Sequence, residues 1–322
     1  MRIGIVGATG IVGRELVSLL AASKIKATEL RLSATAGSVG KMVATHLGEQ
    51  GVAEVNADFF SGLDLCFFCV SAAVSEQWAP VARAKNVTCI DNSSAFRHQG
   101  DVPLVVPEVN GALLQRRPQL IANPNCCVSP LAVALNPINR IYGLDDLCIS
   151  TYQSVSGAGQ AAIAQLQAEL AAGSLANQRL DQYLFNVIAC IGSCNQEGHS
   201  QEEIKIIQEL RKILDLPALP IAVTAVRVPV LRCHCQSVTF ITRRKASAEQ
   251  IKRVLTAGNV VVSDSPPQPV AVGNSNEVYV GRIRENHYHH PRSYSLWLAA
   301  DNLRKGAALN ALNIAEQWWA LQ

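Results

Sequence analysis

RIGIVGATGIVG, residues 2–13, decides how the rest of the chain is read. The β-rich run at 2–6 reads as a strand, and Gly7-Ala8-Thr9-Gly10-Ile11-Val12-Gly13 reads as a tight turn opening an amphipathic helix. Glycines in such a turn let the backbone approach a pyrophosphate, and a helix N-terminus favours its negative charge. The spacing alone also suits a plain strand-to-helix turn; its place after the first strand and ahead of a helix favours a dinucleotide site. The second strand ends at Leu32-Ser33-Ala34-Thr35, where an NAD site usually carries an acid for the ribose hydroxyls. No acid stands there. Ser33, Thr35, Ser38 and Lys41 offer donors to a 2′-phosphate instead, so NADP is the expected cofactor.

Outward from this turn, the first part of the chain alternates short β-rich runs (ELRLS, DLCFFCVS, VTCIDNSS, PQLIAN) with helical patterns. Such alternation predicts an α/β fold with a mostly parallel sheet. From about Asp145 the runs lengthen (LCISTYQSVS, IAVTAVRVPV, RCHCQSVTFITRR, SYSLWLAA), which predicts a second domain of α+β type. The closing segment DNLRKGAALNALNIAEQWWALQ opens on an Asp-Asn pair suited to an N-cap, continues at helical spacing, and is expected to return to the first domain. The expected domains are 1–124 with 303–322, and 125–302. With 322 residues, 49% of them hydrophobic, the chain can bury a core of that size. A net charge of +3, spread without a basic run, lacks the footprint of a nucleic-acid binder. No apolar run approaches the ~18 residues of a membrane span, and the N-terminus does not read as a signal peptide. The expectation is a cytoplasmic protein, and the 10 cysteines, which show no regular framework, are expected to be reduced thiols.

Two of those thiols are adjacent, in IANPNCCVSP at 121–130. A thiol attacks as the thiolate, which a helix N-terminus or a nearby cation stabilises. Ser129 and Pro130 read as cap and first-turn residues of a helix, so that Cys126 and Asn125 project from the turn while Cys127 points into packing. Cys126 needs a base, and the histidine in an informative setting is His234, in VRVPVLRCHCQSV at 226–238. The Cys-His-Cys string there invites a metal, but on a strand Cys233 and Cys235 face one way and His234 the other, and no second ligand pair follows. No metal is expected. Arg227 lies seven residues upstream of His234, an odd separation that an uninterrupted strand would put on the opposite face. Both can serve one site only if the chain bends near Pro229.

Taken together, these strings resemble the aspartate-β-semialdehyde dehydrogenase family nearly end to end: GATGIVG, DNSSAFR followed by DVPLVVPEVN, ANPNC, STYQSVSGAG, EEIK, RVPVLRCH, VGRIR and ADNLRKGAA, in that order. The resemblance implies a Rossmann-like NADP-binding domain followed by an α+β catalytic and dimerisation domain. It implies Cys126 as nucleophile, His234 as general acid/base and Gln153 orienting the acyl group. Arg227 matches a carboxylate-binding arginine, Glu202 an acidic partner for an amine, and Lys205, with Arg97 and Asn125, a phosphate site. Cofactor contacts are implied along the turn at Gly7, Ala8, Thr9, Gly10, Ile11 and Val12, then at Ser33, Thr35, Ser38 and Ser71, and at Ser156, Gly157 and Asn302. The implied reaction is NADPH-dependent reductive dephosphorylation of aspartyl phosphate to aspartate semialdehyde through a cysteine thioester, in a homodimer or dimer of dimers.

The chain departs from the family in three places. Cys127 stands where Ser or Thr is usual, the loop SATAGSVGK lacks an arginine near the 2′-phosphate, and the segment between SGAG and EEIK is short. N-acetyl-glutamyl-phosphate reductase shares the fold and the covalent logic, but its turn usually reads Asn-Pro-Gly-Cys where this chain has Asn125. A non-catalytic paralogue would be marked by loss of the nucleophile, and a dehydrogenase without a covalent intermediate would need no thiol.

Overall fold

In the computed structural model, which describes residues 1–173 and 179–321, the chain divides into two compact units, Met1–Asn125 with Ala307–Gln322, and Cys126–Gly306. The first unit is built on a seven-stranded sheet: β1 (Arg2–Val6), β2 (Glu29–Ala34), β3 (Met42–Thr45), β4 (Gly48–Glu54), β5 (Leu65–Phe68), β6 (Thr88–Asp91) and β7 (Leu120–Ala122), in the order β3-β4-β2-β1-β5-β6-β7. All pairings are parallel except the edge pair β3 and β4. Parallel strands are covered on both faces, which is why β1 and β5 read as nearly unbroken apolar runs. The helices are α1 (Ile11–Leu20), α2 (Ala72–Ala84) and the short α3 (Pro107–Asn110). The chain leaves β1 toward β2 on one side and finds β5 on the other, so the order reverses beside β1, where open α/β sheets place their ligand crevice.

The second unit carries a six-stranded sheet: β8 (Leu144–Gln153), β9 (Ile221–Arg227), β10 (His234–Thr242), β11 (Val261–Val262), β12 (Val278–Glu285) and β13 (Ser293–Ala300), ordered β11-β12-β13-β10-β8-β9. Its helices are α4 (Val128–Tyr142), α5 (Gln160–Ala172), α6 (Gln201–Leu214), α7 (Ala248–Thr256) and α8 (Pro269–Val272). Helix α4 buries nine of its residues and packs against α6 and α7. A last helix, α9 (Leu309–Ala320), rejoins the first unit, where Ile314, Ala315 and Trp318 close the core over α1.

Three expectations change. Helix α4 starts at Val128 with Cys127 at its N-cap, so Ser129 and Pro130 are its second and third residues rather than its cap. Proline costs no hydrogen bond there, because the first N–H groups of a helix have no intrahelical acceptor. Arg227 and His234 do not share a bent strand: β9 ends on the first, β10 begins on the second, and β8 lies between the two strands. The intervening turn reverses through Cys233, whose φ is +76°. Finally, Cys190 and Cys194 are joined in a disulfide, against the expectation that every thiol is reduced. The loop they close folds back on the start of α6, pairing Cys194 with Ser200, and this tight return brings the two sulfurs together. The shortened segment between SGAG and EEIK includes residues 174–178, which lie outside the described residues. Among the described residues, no helix is long and apolar enough to cross a membrane.

Candidate active site

Cys126 sits one residue before the N-cap of α4, half-buried, with its Sγ 3.3 Å from His234 Nε2. His234 opens β10 and is buried. The backbone N–H of Ser154 donates to His234 Nδ1 at 3.0 Å. An accepting Nδ1 carries a lone pair, so a neutral imidazole must hold its hydrogen on Nε2, facing the sulfur. In that tautomer the ring presents a donor to the sulfur, an arrangement that favours the thiolate. The Cys126 thiol accordingly lies well below its ordinary value: a hydrogen bond from the Cys127 thiol does most, burial opposes it, and His234 and Arg227 add to the lowering.

Behind the imidazole, Ser154 Oγ lies 3.1 Å from Nδ1 and donates to Asn302 Oδ1 at 3.2 Å. Asn302 Nδ2 donates to Ser156 Oγ at 3.0 Å, and Oδ1 also accepts the N–H of Cys233 at 2.9 Å. This network ties the start of β10 to the turn after β8. Beside it, Arg227 Nη1 donates to the carbonyl of Ser154 at 2.7 Å and to Gln153 Oε1 at 3.4 Å. Its Nε and Nη2 make no hydrogen bond among the described residues, which leaves two donors for a carboxylate. Gln153 Nε2 donates to Glu202 Oε1 at 3.1 Å. Glu202 lies in the first turn of α6, a helix anchored by a capping box in which Ser200 Oγ accepts from Glu203 N and Glu203 Oε2 accepts from Ser200 N. Lys205, on the same helix, is half-buried and makes no hydrogen bond or ion pair among the described residues.

Gly157 separates the two key side chains. A Cβ on it would stand 2.9 Å from Arg227 Nη1 and 3.0 Å from His234 Nε2, so only glycine lets guanidinium and imidazole approach as they do. The second unit thus brings together Cys126, His234, Gln153, Arg227 and Glu202, with Ser156, Gly157 and Asn302 around them. Sequence reasoning missed Ser154, whose signal was its place directly after Gln153, and Gln236, which donates to the carbonyl of Cys127 at 3.0 Å. Gln236 is two residues beyond His234 on a strand, hence on the same face. Cys126 Sγ, Cys127 Sγ and a His234 nitrogen all lie within 4.8 Å of one another. A metal on Nε2 would require the ring hydrogen on Nδ1, against the Ser154 N–H, so the donor set does not suit an ion. Cys233 and Cys235 pack with Val272 and Ala299, and burial pushes both thiols up to about 12.

In the first unit, the glycine turn fits a dinucleotide. Gly7 has φ +91°, and a Cβ there would lie 2.3 Å from the Cys69 carbonyl; at Gly13 it would lie 2.2 Å from the Gly7 carbonyl. Gly10 caps α1 with no side-chain acceptor, leaving the first-turn N–H groups to an anion, and Ser71 stands likewise at the start of α2. At the end of β2, Ser33 Oγ is buried with no hydrogen-bond partner among the described residues, Thr35 is exposed, and Ser38 Oγ accepts from Thr9 Oγ1 at 3.3 Å. Ala8 is buried, while Ile11 and Val12 are half-buried in the first turn of α1. Arg97 and Asn125 also belong to this unit; Arg97 Nε and Nη2 donate to the carbonyls of Asn123 and Asn92 at 2.9 and 2.7 Å.

Residues 2–116 match the model of the semialdehyde dehydrogenase NAD binding domain, and residues 135–305 that of the semialdehyde dehydrogenase dimerisation domain. The aspartate-semialdehyde dehydrogenase of Aquifex aeolicus is 38% identical over 330 residues, covering 98% of this chain and 97% of that protein. The chain belongs to the aspartate-semialdehyde dehydrogenase family. The Bacillus subtilis member of this family is 37% identical over 336 residues, covering 98% of this chain and 96% of its own. Among solved structures, aspartate-semialdehyde dehydrogenase II from Vibrio cholerae in complex with ASA superposes with a TM-score of 0.94 at 36% identity, covering 99% of this chain and 98% of that one. Aspartate-semialdehyde dehydrogenase chains take a nicotinamide cofactor in the first domain and associate through the second, as the names of the two matched domains state.

Proposed function

We propose that the protein reduces L-aspartyl 4-phosphate to L-aspartate 4-semialdehyde with NADPH, through a thioester on Cys126. The observation that carries this reading is the Cys126–His234 pair, in which the Ser154 N–H on Nδ1 turns a ring donor at Nε2 toward the sulfur. The thiolate attacks the acyl carbon and the C–O bond to phosphate breaks, giving the thioester and inorganic phosphate. Lys205 offers the departing phosphate an uncommitted cation; Arg97 and Asn125 are proposed for the same group from the family alone. Arg227 pairs its two free donors with the α-carboxylate, Glu202 meets the ammonium, and Gln153, held between Glu202 and Arg227, orients the acyl oxygen. Bound NADPH supplies the hydride that the acyl carbon accepts. His234 Nε2–H donates a hydrogen bond to the alkoxide so formed, stabilising it until the carbonyl re-forms and the sulfur leaves as the thiolate. In the second unit, the buried Ser156 and Asn302 act on this step from behind His234 as well as standing in the cofactor role the family implies.

NADP rather than NAD is proposed because the end of β2 offers the unpartnered Ser33 hydroxyl, Thr35 and Ser38 and no acid. A homodimer is proposed through the second unit. A cytoplasmic location accords with this biosynthetic role; the Cys190–Cys194 bond is the feature that argues against it. The test is Cys126→Ala: NADP reduction driven by aspartate semialdehyde and phosphate should vanish while NADP binding persists. Retained turnover in that variant would refute the assignment.

A further inference from the structure

Cys127 forms and breaks no bond in the chemistry above, yet it is completely buried beside the proposed nucleophile. Its Sγ, Cys126 Sγ and a His234 nitrogen lie within 4.8 Å of one another, and its carbonyl is held by Gln236 Nε2 at 3.0 Å, which fixes the backbone from which the side chain projects. Two thiols this close cannot both ionise. Burial raises the Cys127 thiol well above its ordinary value, and the neighbouring Cys126 raises it further, so Cys127 is the sulfur that keeps its proton. A protonated thiol against a thiolate can only donate.

We propose that Cys127 is a positioning residue for the reaction, its Sγ–H donating a hydrogen bond to Cys126 Sγ as a second donor beside His234 Nε2–H. The inference rests on Cys126 being the nucleophile. Two donors hold the sulfur anionic at rest, and both are in place when the thiolate leaves as the carbonyl re-forms. The titratable and charged groups facing the two sulfurs are His234 from β10, Arg227 from β9 and Glu202 from α6. The turn at Gly306 meets Cys126 through backbone, with Arg304 and Lys305 next to it in the chain. Arg227 acts on both thiols in the same direction, so it does not explain why one ionises and the other does not.

The test is the rate of inactivation by iodoacetamide against pH in the intact protein, with modification of Cys126 followed by mass spectrometry, for wild type, Cys127→Ala and Cys127→Ser. A lowered thiol gives a rate that stays high through neutral pH and falls only as pH drops through its depressed value. Removing the donor should move that fall upward by about one pH unit, roughly tenfold in the sloping region. Cys127→Ser restores a donor and should lie close to wild type. Should alanine leave a cavity the fold does not survive, Cys127→Val fills the space without a donor and gives the same reading. A Cys127→Ala profile superimposed on wild type, or a Cys127→Ser profile displaced as far as alanine's, overturns the proposal. If wild-type Cys126 itself titrates as an ordinary thiol, it is the nucleophile assignment that fails instead.

Discussion

A single backbone N–H determines how the imidazole meets the sulfur. Because Ser154 N–H occupies Nδ1, the ring faces Cys126 as a donor, which favours the thiolate that the proposed attack needs. Gly157 has the same kind of importance, since it separates guanidinium from imidazole by the width of one missing methyl group. Gly157→Ala should lower kcat/KM by about 10²-fold, the cost of displacing a positioned group by roughly 1 Å, with KM for the semialdehyde rising because Arg227 moves; steady-state kinetics check this, and unchanged constants would show that the packing is looser than it stands. At this scale the sequence was informative about identity and silent about contact. Cys126, His234, Arg227 and Gln153 were each nameable from their strings, whereas Ser154 acts through its N–H, which any residue but proline supplies. Cys127 was separable from Cys126 as the inward-facing sulfur, but what it touches depends on a strand more than a hundred positions away.

Among the elements, the order of strands accounts for what spacing could not. The odd separation of Arg227 and His234 suggested a bend within one strand; instead the chain ends β9, turns through Cys233 and begins β10 on the other side of β8. Sequence alternation reports which face a residue takes, and not which strand lies next to it. By contrast, the turn after β1 was legible throughout, because strand, glycines and helix are contiguous and their interactions local. Gly13→Ala tests that element: a Cβ 2.2 Å from the Gly7 carbonyl must push α1 off the turn. The expected result is a loss of about 1–3 kcal/mol of stability together with at least a tenfold weaker NADP affinity, read by thermal denaturation and nucleotide titration. Normal nucleotide affinity in that variant would separate the turn from the cofactor. Helix α4 shows a smaller lesson, since Ser129 looked like a cap but lies inside the first turn, where proline at the third position is as acceptable as at the first.

For the whole molecule, the α/β-then-α+β division followed from the change in run length near residue 145, and the closing helix α9 does rejoin the first unit. What the chain could not disclose was the pairing of Cys190 with Cys194, a consequence of how the loop before α6 folds back. The central claim is that the acyl group passes through Cys126, and it is tested by withholding phosphate. Mixed with aspartate semialdehyde and NADP alone, the protein should form one equivalent of NADPH per chain and stop, with an aspartyl group found on Cys126 by mass spectrometry; adding phosphate should release the adduct and start turnover. Steady turnover without phosphate, or a burst that leaves Cys126 unmodified, would contradict the account.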